Sequence, residues 1–285
     1  MTNNKILFYT LAFGNQSYYE QAQLLIISLL RFRCNQLSTI RIYTDNPDFF
    51  RLYTDSGVEI FPVDLERLKQ IRDMHYGYNF ANKLQLITDV VTDSGYSASV
   101  FFDTDIVAKK SPENFISQLH TGIPFMYKKE RRYCGESTKE YWHALNAIEL
   151  HPYKIKKSSC QWNSGVVGIS QSFSRQISDA MTIMDNLLLA GVKQHTSEQV
   201  AISVVLEETG TLQSTTDYFI HYHSNKAGWE VISRTLQQHR ERGKNVSELI
   251  DWYQSLTSLP PENIEQNPLT KTMSKWINSL KKRIR

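Results

Sequence analysis

Residues 97–111 read SASVFFDTDIVAKKS. Ser99, Val100, Phe101 and Phe102 have the composition of a buried strand, and the run then ends on two carboxylates, Asp103 and Asp105, with Thr104 between them. On an extended segment, residues i and i+2 point the same way, so the two acids converge on one spot. Like charges that close together repel unless a proton or a cation lies between them. Their oxygen ligands suit a hard divalent ion such as Mg²⁺ or Mn²⁺. The bare pattern also occurs at solvated strand ends, so its context decides.

Working outward, residues 5–13 (KILFYTLAF) form another apolar run with the length of a buried strand. Residues 15–32 follow with Ala22, Leu25, Ile26, Leu29 and Leu30 at helical spacing. Ser17 with Glu20 three positions on predicts a capping box at its start. Residues 38–50 read as a strand and then a turn at Asp45-Asn46-Pro47, where Asp45 is a good turn residue in its own right. Residues 57–64 form a third strand, and residues 79–91 a helix with Phe80, Leu84, Ile87 and Val91 on one face. The stretch 97–105 is then a fourth strand.

Strands alternating with helices argue for βαβ units and an α/β fold with a mainly parallel sheet flanked by helices. Such sheets bind ligands at the carboxyl ends of their strands, where Asp103 and Asp105 fall. Residues 107–160 are less regular. Strand character returns at 161–170 (QWNSGVVGIS), helices are expected over 174–191 and 197–208, and a late strand and loop over 216–229. The remainder reads as helical, interrupted by Pro260, Pro261 and Pro268.

Composition narrows the function classes. The chain has 285 residues and 41% hydrophobic content, enough for a sizeable core. Its net charge of +3 is too small to argue for nucleic acid as a partner. The three cysteines, Cys34, Cys134 and Cys160, are odd in number and form no Cys-x-x-Cys pair. That fits a reducing, cytoplasmic setting better than a disulfide framework. The sequons at Asn15 and Asn245 then carry no glycan. The N-terminal apolar run is too short for a signal peptide, and no segment has the length of a membrane span.

Taken in order, these motifs resemble the GT-A class of nucleotide-sugar glycosyltransferases, in particular the family-eight-like galactosyl- and glucosyltransferases. Residues 9–32 resemble that class's first strand, nucleotide loop and helix. NKLQLITDVV (82–91) resembles the helix that supplies a basic residue, here Lys83. VFFDTDIV (100–107) resembles the Asp-x-Asp strand. WNSGVVGIS (162–170) resembles the Asn-Ser-Gly strand, SEQVAIS (197–203) the acidic-Gln helix start, and FIHYHSNKAGW (219–229) the late His motif. In this last motif only His221 and Trp229 match the family pattern, and Lys226 sits one position early.

The resemblance implies a GT-A catalytic domain over 1–230, with a nucleotide-sugar half at about 1–106 and an acceptor half at about 107–230. A helical C-terminal appendage would occupy 231–285. It implies a metal-dependent transferase of a sugar, a hexosyl group, from a nucleotide diphosphate donor, a UDP-sugar, to a hydroxyl acceptor with retention, in cell-surface glycan synthesis. Asp105 would bind Mn²⁺ or Mg²⁺ directly, Asp103 the metal or the ribose, and His221 would be the third ligand with His223 as alternate. Lys83 and Lys226 would pair with phosphate or a donor-sugar hydroxyl. Thr10, Leu11 and Ala12 would offer backbone groups to the base, Asp45 would accept a base N–H, and Thr104 would belong to the donor site. Asn163, Glu198 and Gln199 would face the donor sugar as catalytic residues.

Two further features carry open readings. Lys128, Lys129, Arg131 and Arg132 cluster in 128–133, either a solvated loop or a site for an anionic acceptor. In the tail, Leu269, Met273, Trp276, Ile277, Leu280 and Ile284 recur at helical spacing among lysines and arginines. That is the profile of a helix on an anionic membrane face, serving a lipid-linked acceptor, or of a terminal helix packed on the domain. Two other classes share the Asp-x-Asp or the sheet. A haloacid-dehalogenase-type phosphohydrolase would use Asp103 as nucleophile but needs a later acidic pair. A nucleotidyltransferase would carry a Gly-rich basic loop after the first strand, which residues 10–19 lack.

Overall fold

The computed structural model describes residues 5–256, apart from 94, 149, 193–194 and 223–225. The chain begins β1 (Ile6–Ala12), α1 (Gln16–Arg31), α2 (Cys34–Leu37), β2 (Thr39–Thr44), α3 (Pro47–Phe50), β3 (Val58–Pro62). It continues α4 (Leu65–Met74), α5 (Ala81–Thr92), β4 (Ala98–Phe102), β5 (Ile106–Ala108), α6 (Glu113–His120), β6 (Phe125–Arg132) and α7 (Lys139–Ala147). Then follow β7 (Cys160–Ser170), α8 (Ser174–Leu189), α9 (Ser197–Glu207), β8 (Gln213–Ser214), β9 (Phe219–His221), α10 (Lys226–Glu241) and α11 (Val246–Ser255).

The central sheet has seven strands in the order β3-β2-β1-β4-β7-β6-β8, and β5 pairs with β9 in a separate ribbon. β1, β2, β3 and β4 are parallel, and β6 and β8 run the same way. β7 alone is reversed, antiparallel to both β4 and β6. The expected mainly parallel α/β sheet is therefore the one observed.

Both faces of the sheet's centre are covered, which is why β1 and β4 are apolar along nearly all their length rather than alternating with polar residues. Ile6, Phe8, Val100 and Phe102 point into one core with α1 and α6. Leu7, Tyr9 and Phe101 point into the other with α5, α8 and α9. α9 is buried almost all round, so most of its length after Gln199 is apolar, while the polar residues of its first turn, Ser197, Glu198 and Gln199, are buried as well. The first core also takes Ile232 and Leu236 of α10 and Leu249 and Tyr253 of α11, so the first two helices of the expected C-terminal segment pack on the sheet's own core. The basic amphipathic tail lies outside the described residues.

Local differences from the sequence reading have simple causes. α1 is capped by Asn15, whose side chain accepts from Ser17 N, rather than by Ser17. Glu20 is drawn inward instead of back to the helix start. It accepts from Gln16 Nε2 at 3.0 Å and from the Ser233 hydroxyl, and faces Arg240 at 3.9 Å. The other sequon asparagine, Asn245, caps α11 in a capping box with Glu248. Phe80 leaves the apolar face of α5 because it is the N-cap, and it is exposed. The basic cluster at 128–132 is part of strand β6, not a loop. All three cysteines are free.

Glu20, 6% exposed, therefore ties α1 to α10. Because Arg240 is partly solvated, Glu20→Ala is expected to cost about 1–3 kcal/mol rather than the full value of a buried pair. A urea midpoint that falls at unchanged slope checks this. An unchanged midpoint would mean that α10 docks through apolar contacts alone.

Candidate active site

β4 ends at Phe102, and the chain turns at once into β5, with Ile106 N donating to Asp103 O at 3.3 Å. Asp103, Thr104 and Asp105 thus lie in a turn, not on an extended strand. The acids converge for a different reason from the one the spacing suggests. Asp103 stays with the central sheet, where its N–H donates to Gly165 O at 2.8 Å. Asp105 leaves with the ribbon, where Ile106 pairs with His221. The turn folds both carboxylates back onto the imidazole, and ligand atoms of Asp103, Asp105 and His221 all lie within 4.8 Å of one another.

The reversal of β7 supplies the rest. Because β7 is antiparallel to β4, its N-terminal half projects past the carboxyl end of β4, and Asn163, Ser164 and Gly165 stand beside the acidic turn. Gly165 is required by close approach. A Cβ there would lie 2.6 Å from His221 Nδ1 and 2.7 Å from Cε1.

Below the turn, Lys83 of α5 is buried, with Nζ 2.9 Å from Asp103 Oδ1 and 3.6 Å from Glu198 Oε1. It donates to Ser164 Oγ at 3.0 Å. Burial alone would lower its pKa, but Asp103 and Glu198 outweigh that and raise it, so the ammonium is held charged. Glu198 is 3% exposed and saturated. Its Oε1 accepts from Ser164 Oγ at 2.9 Å, and its Oε2 from Tyr78 OH at 2.9 Å. Burial and the Glu198 charge push the Tyr78 phenol up, so it stays a donor. Gln199 turns its carbonyl to Ser164 N at 3.2 Å.

The network also assigns the protons of His221. Asn163 Oδ1 accepts from Gly165 N at 2.9 Å and faces His221 Nδ1 at 3.1 Å, so Nδ1 must carry the hydrogen. Nε2 then faces Asp105 Oδ1 at 3.1 Å. Two acceptors at that distance require a proton on Nε2 or a cation shared between them. Burial lowers the His221 pKa, but the hydrogen bond and charge of Asp105 override it and the net direction is up. Two carboxylates and one imidazole nitrogen, already turned to one point, fit a divalent ion such as Mn²⁺.

Together these residues line a cleft of about 1180 Å³ at the carboxyl ends of the parallel strands. That exceeds the roughly 300–1,000 Å³ of an ordinary small-ligand pocket. Of the expected residues, Leu11, Lys83, Asp103, Thr104, Asp105, Asn163, Glu198, Gln199 and His221 line the cleft. Thr104 is buried and donates to Gln21 Oε1 at 2.9 Å. Thr10 and Ala12 are buried in β1, outside that lining. Asp45 also stands apart from it, accepting from Tyr19 OH at 2.8 Å and from Gly14 N at 3.2 Å, so it shapes the loop after β1. Lys226 opens α10, and its side chain, like His223, lies outside the described residues. Residue types alone did not single out Tyr78 or Glu130. Glu130, hidden among four cations, accepts from Asn163 Nδ2 and Gln199 Nε2.

No protein-family model matches the sequence, and no curated protein matches it. Solved structures do. Mouse xyloside xylosyltransferase 1 superposes with a TM-score of 0.50 at 10% identity, over 74% of this chain and 84% of that one. The galactosyltransferase LgtC, solved with donor and acceptor sugar analogues, gives 0.47 at 10% identity over 73% and 72%. The glycosyltransferase GlyE of Streptococcus pneumoniae gives 0.44 at 12% identity, and the chain spans half of its length. The fold is GT-A.

The close approach at Gly165 yields a direct test. Gly165→Ala is expected to push the His221 ring away from Asp105 and to destabilise the protein by about 1–3 kcal/mol, as overpacking does. A crystal structure of the variant with the imidazole unmoved would show that the backbone yields instead.

Proposed function

We propose that the chain is a metal-dependent glycosyltransferase, moving a sugar from a nucleotide diphosphate donor, a UDP-sugar, to a hydroxyl group of a glycan acceptor. The observation that carries this reading is the meeting of Asp103, Asp105 and His221 in one large cleft of a GT-A sheet. Charge supports it. Lys69, Arg72 and Arg131 line the cleft too, but where Asp103 and Asp105 meet His221 two carboxylates converge and Lys83 pairs with Asp103. A diphosphate brought to that point faces the Asp105 carboxylate unless a cation lies between them.

Asp103, Asp105 and His221 would hold Mn²⁺ or Mg²⁺. Bound there, the ion supplies Lewis-acid stabilisation of the charge that develops on the leaving diphosphate. The protein's own groups do the rest. Lys83, kept charged by its carboxylates, supports Asp103 from beneath. Leu11 and Gly14 lie at the end of the cleft nearest the loop after β1, where the base would enter. Asn163 and Gln199 present amides along the wall where the donor sugar would lie.

A retaining outcome agrees with the commitments of the carboxylates. Asp103 is paired with Lys83, Glu198 with Tyr78, Ser164 and Lys83, and Glu130 with two amides. None of these three is poised as a strong base, so the acceptor proton would pass to the departing phosphate. The phosphohydrolase alternative is not favoured, since Asp103 is tied to a buried lysine rather than presented as a nucleophile. Among the described residues, no helix is long and apolar enough to cross a membrane.

Asp105→Ala is expected to lower metal-supported turnover by on the order of 100-fold or more while the protein stays folded. A thermal-shift screen of nucleotide sugars with and without Mn²⁺ identifies the donor, which should raise the melting temperature only with the ion present. Full turnover in Asp105→Ala would refute the assignment.

A further inference from the structure

We infer that Glu130 is a positioning residue that sets the tautomer of His221 through Asn163, and that fixes Gln199 with its second oxygen. The inference rests on the metal-site reading above. Two side-chain amides share this one carboxylate. Oε1 accepts from Asn163 Nδ2 at 3.1 Å, and Oε2 accepts from Gln199 Nε2 at 3.2 Å. An ionised carboxylate only accepts, so both amides must turn their NH₂ groups toward it and their carbonyl oxygens away.

The consequences run in two directions. Asn163 Oδ1 is left facing Gly165 N and His221 Nδ1, at 2.9 and 3.1 Å. Gln199 Oε1 is left facing Ser164 N at 3.2 Å. Suppose the Asn163 amide turned over. Its NH₂ would face Nδ1, which would have to accept, and the imidazole hydrogen would move to Nε2. That is the nitrogen turned to Asp105, and with a hydrogen on it no lone pair is left for a metal ion. The Gly165 N–H opposes the flip from one side, and Glu130 opposes it from the other.

Glu130 has the backbone setting for this task. It falls where the pairing of β6 with β7 slips, between Lys129 and Arg132. Such irregularities re-aim side chains, and Glu130 lines the cleft. Groups that orient a metal-binding histidine from outside the ligand shell typically govern affinity by about 10–100-fold.

The test uses the full chain and Mn²⁺ alone, with two variants. Glu130→Gln keeps the size but sets an NH₂ against one of the amides. Glu130→Asp keeps the charge but shortens the reach. Both are expected to weaken the Mn²⁺ Kd, measured by calorimetry, by about 10–100-fold with little change in melting temperature. In parallel, nitrogen-15 spectra recorded at one concentration of diamagnetic Mg²⁺ in place of Mn²⁺ should show hydrogen on Nδ1 in the wild type, where the ion faces Nε2, and a mixture in the variants. If wild type takes up no Mn²⁺, the metal-site reading fails and the inference falls with it. If wild type binds Mn²⁺ and both variants keep its Kd and its tautomer, the role of Glu130 alone fails. If Glu130→Asp matches wild type and only Glu130→Gln weakens binding, Glu130 acts by charge and not by positioning, which also overturns the inference.

Discussion

A buried ammonium cannot stand alone, and the Lys83 Nζ is where the pieces of this site are tied together. It comes from α5 and is met by Asp103 from the end of β4, Ser164 from β7 and Glu198 from the start of α9. Taking a charge out of water costs several kcal/mol unless partners replace the lost hydration. The four elements must therefore arrive together, with their side chains in one arrangement, for any of them to be tolerated. Removing Lys83 would leave Glu198 buried without its cation, so the cluster specifies geometry more than it adds stability.

The reversed strand β7 is the second constraint. In a wholly parallel sheet its first residues would begin at the edge remote from the acidic turn. Running antiparallel to β4, it carries Asn163–Gly165 past the last residues of that strand. The missing side chain at Gly165 then lets the imidazole of His221 lie against the backbone. His221 itself reaches the site from a different sheet, through the β5–β9 ribbon, and Tyr127 OH accepts its N–H at 3.0 Å. Three chain segments distant in sequence thus define a single point in space.

How far the sequence reveals this depends on whether the signal is local. The strands around Phe8 and Val100 and the helix around Leu84 were legible because burial on one or two faces writes a period into the residues themselves. The Asp103–Asp105 pair was legible for its chemistry, though not for its backbone, since i and i+2 converge in a turn as they would on a strand. The cap of α1 was misread because Ser17 and Glu20 form a good local pattern. Tertiary contact with α10 claimed Glu20, and Asn15 was free to cap. Glu130 was obscured by the cations around it, and its partners lie 33 and 69 residues away.

Sequence by itself determined the α/β class, the order of the elements and the residue types from which a cation could draw its ligands, because periodicity and side-chain chemistry are properties of neighbouring residues. Tertiary structure alone decided which of those residues meet. It set Asp45 to bracing a loop, saturated Glu198 with buried donors, and turned one nitrogen of His221 toward the carboxylates. Those outcomes depend on distances between segments far apart in the chain, and such distances exist only after the sheet has closed around its buried charge.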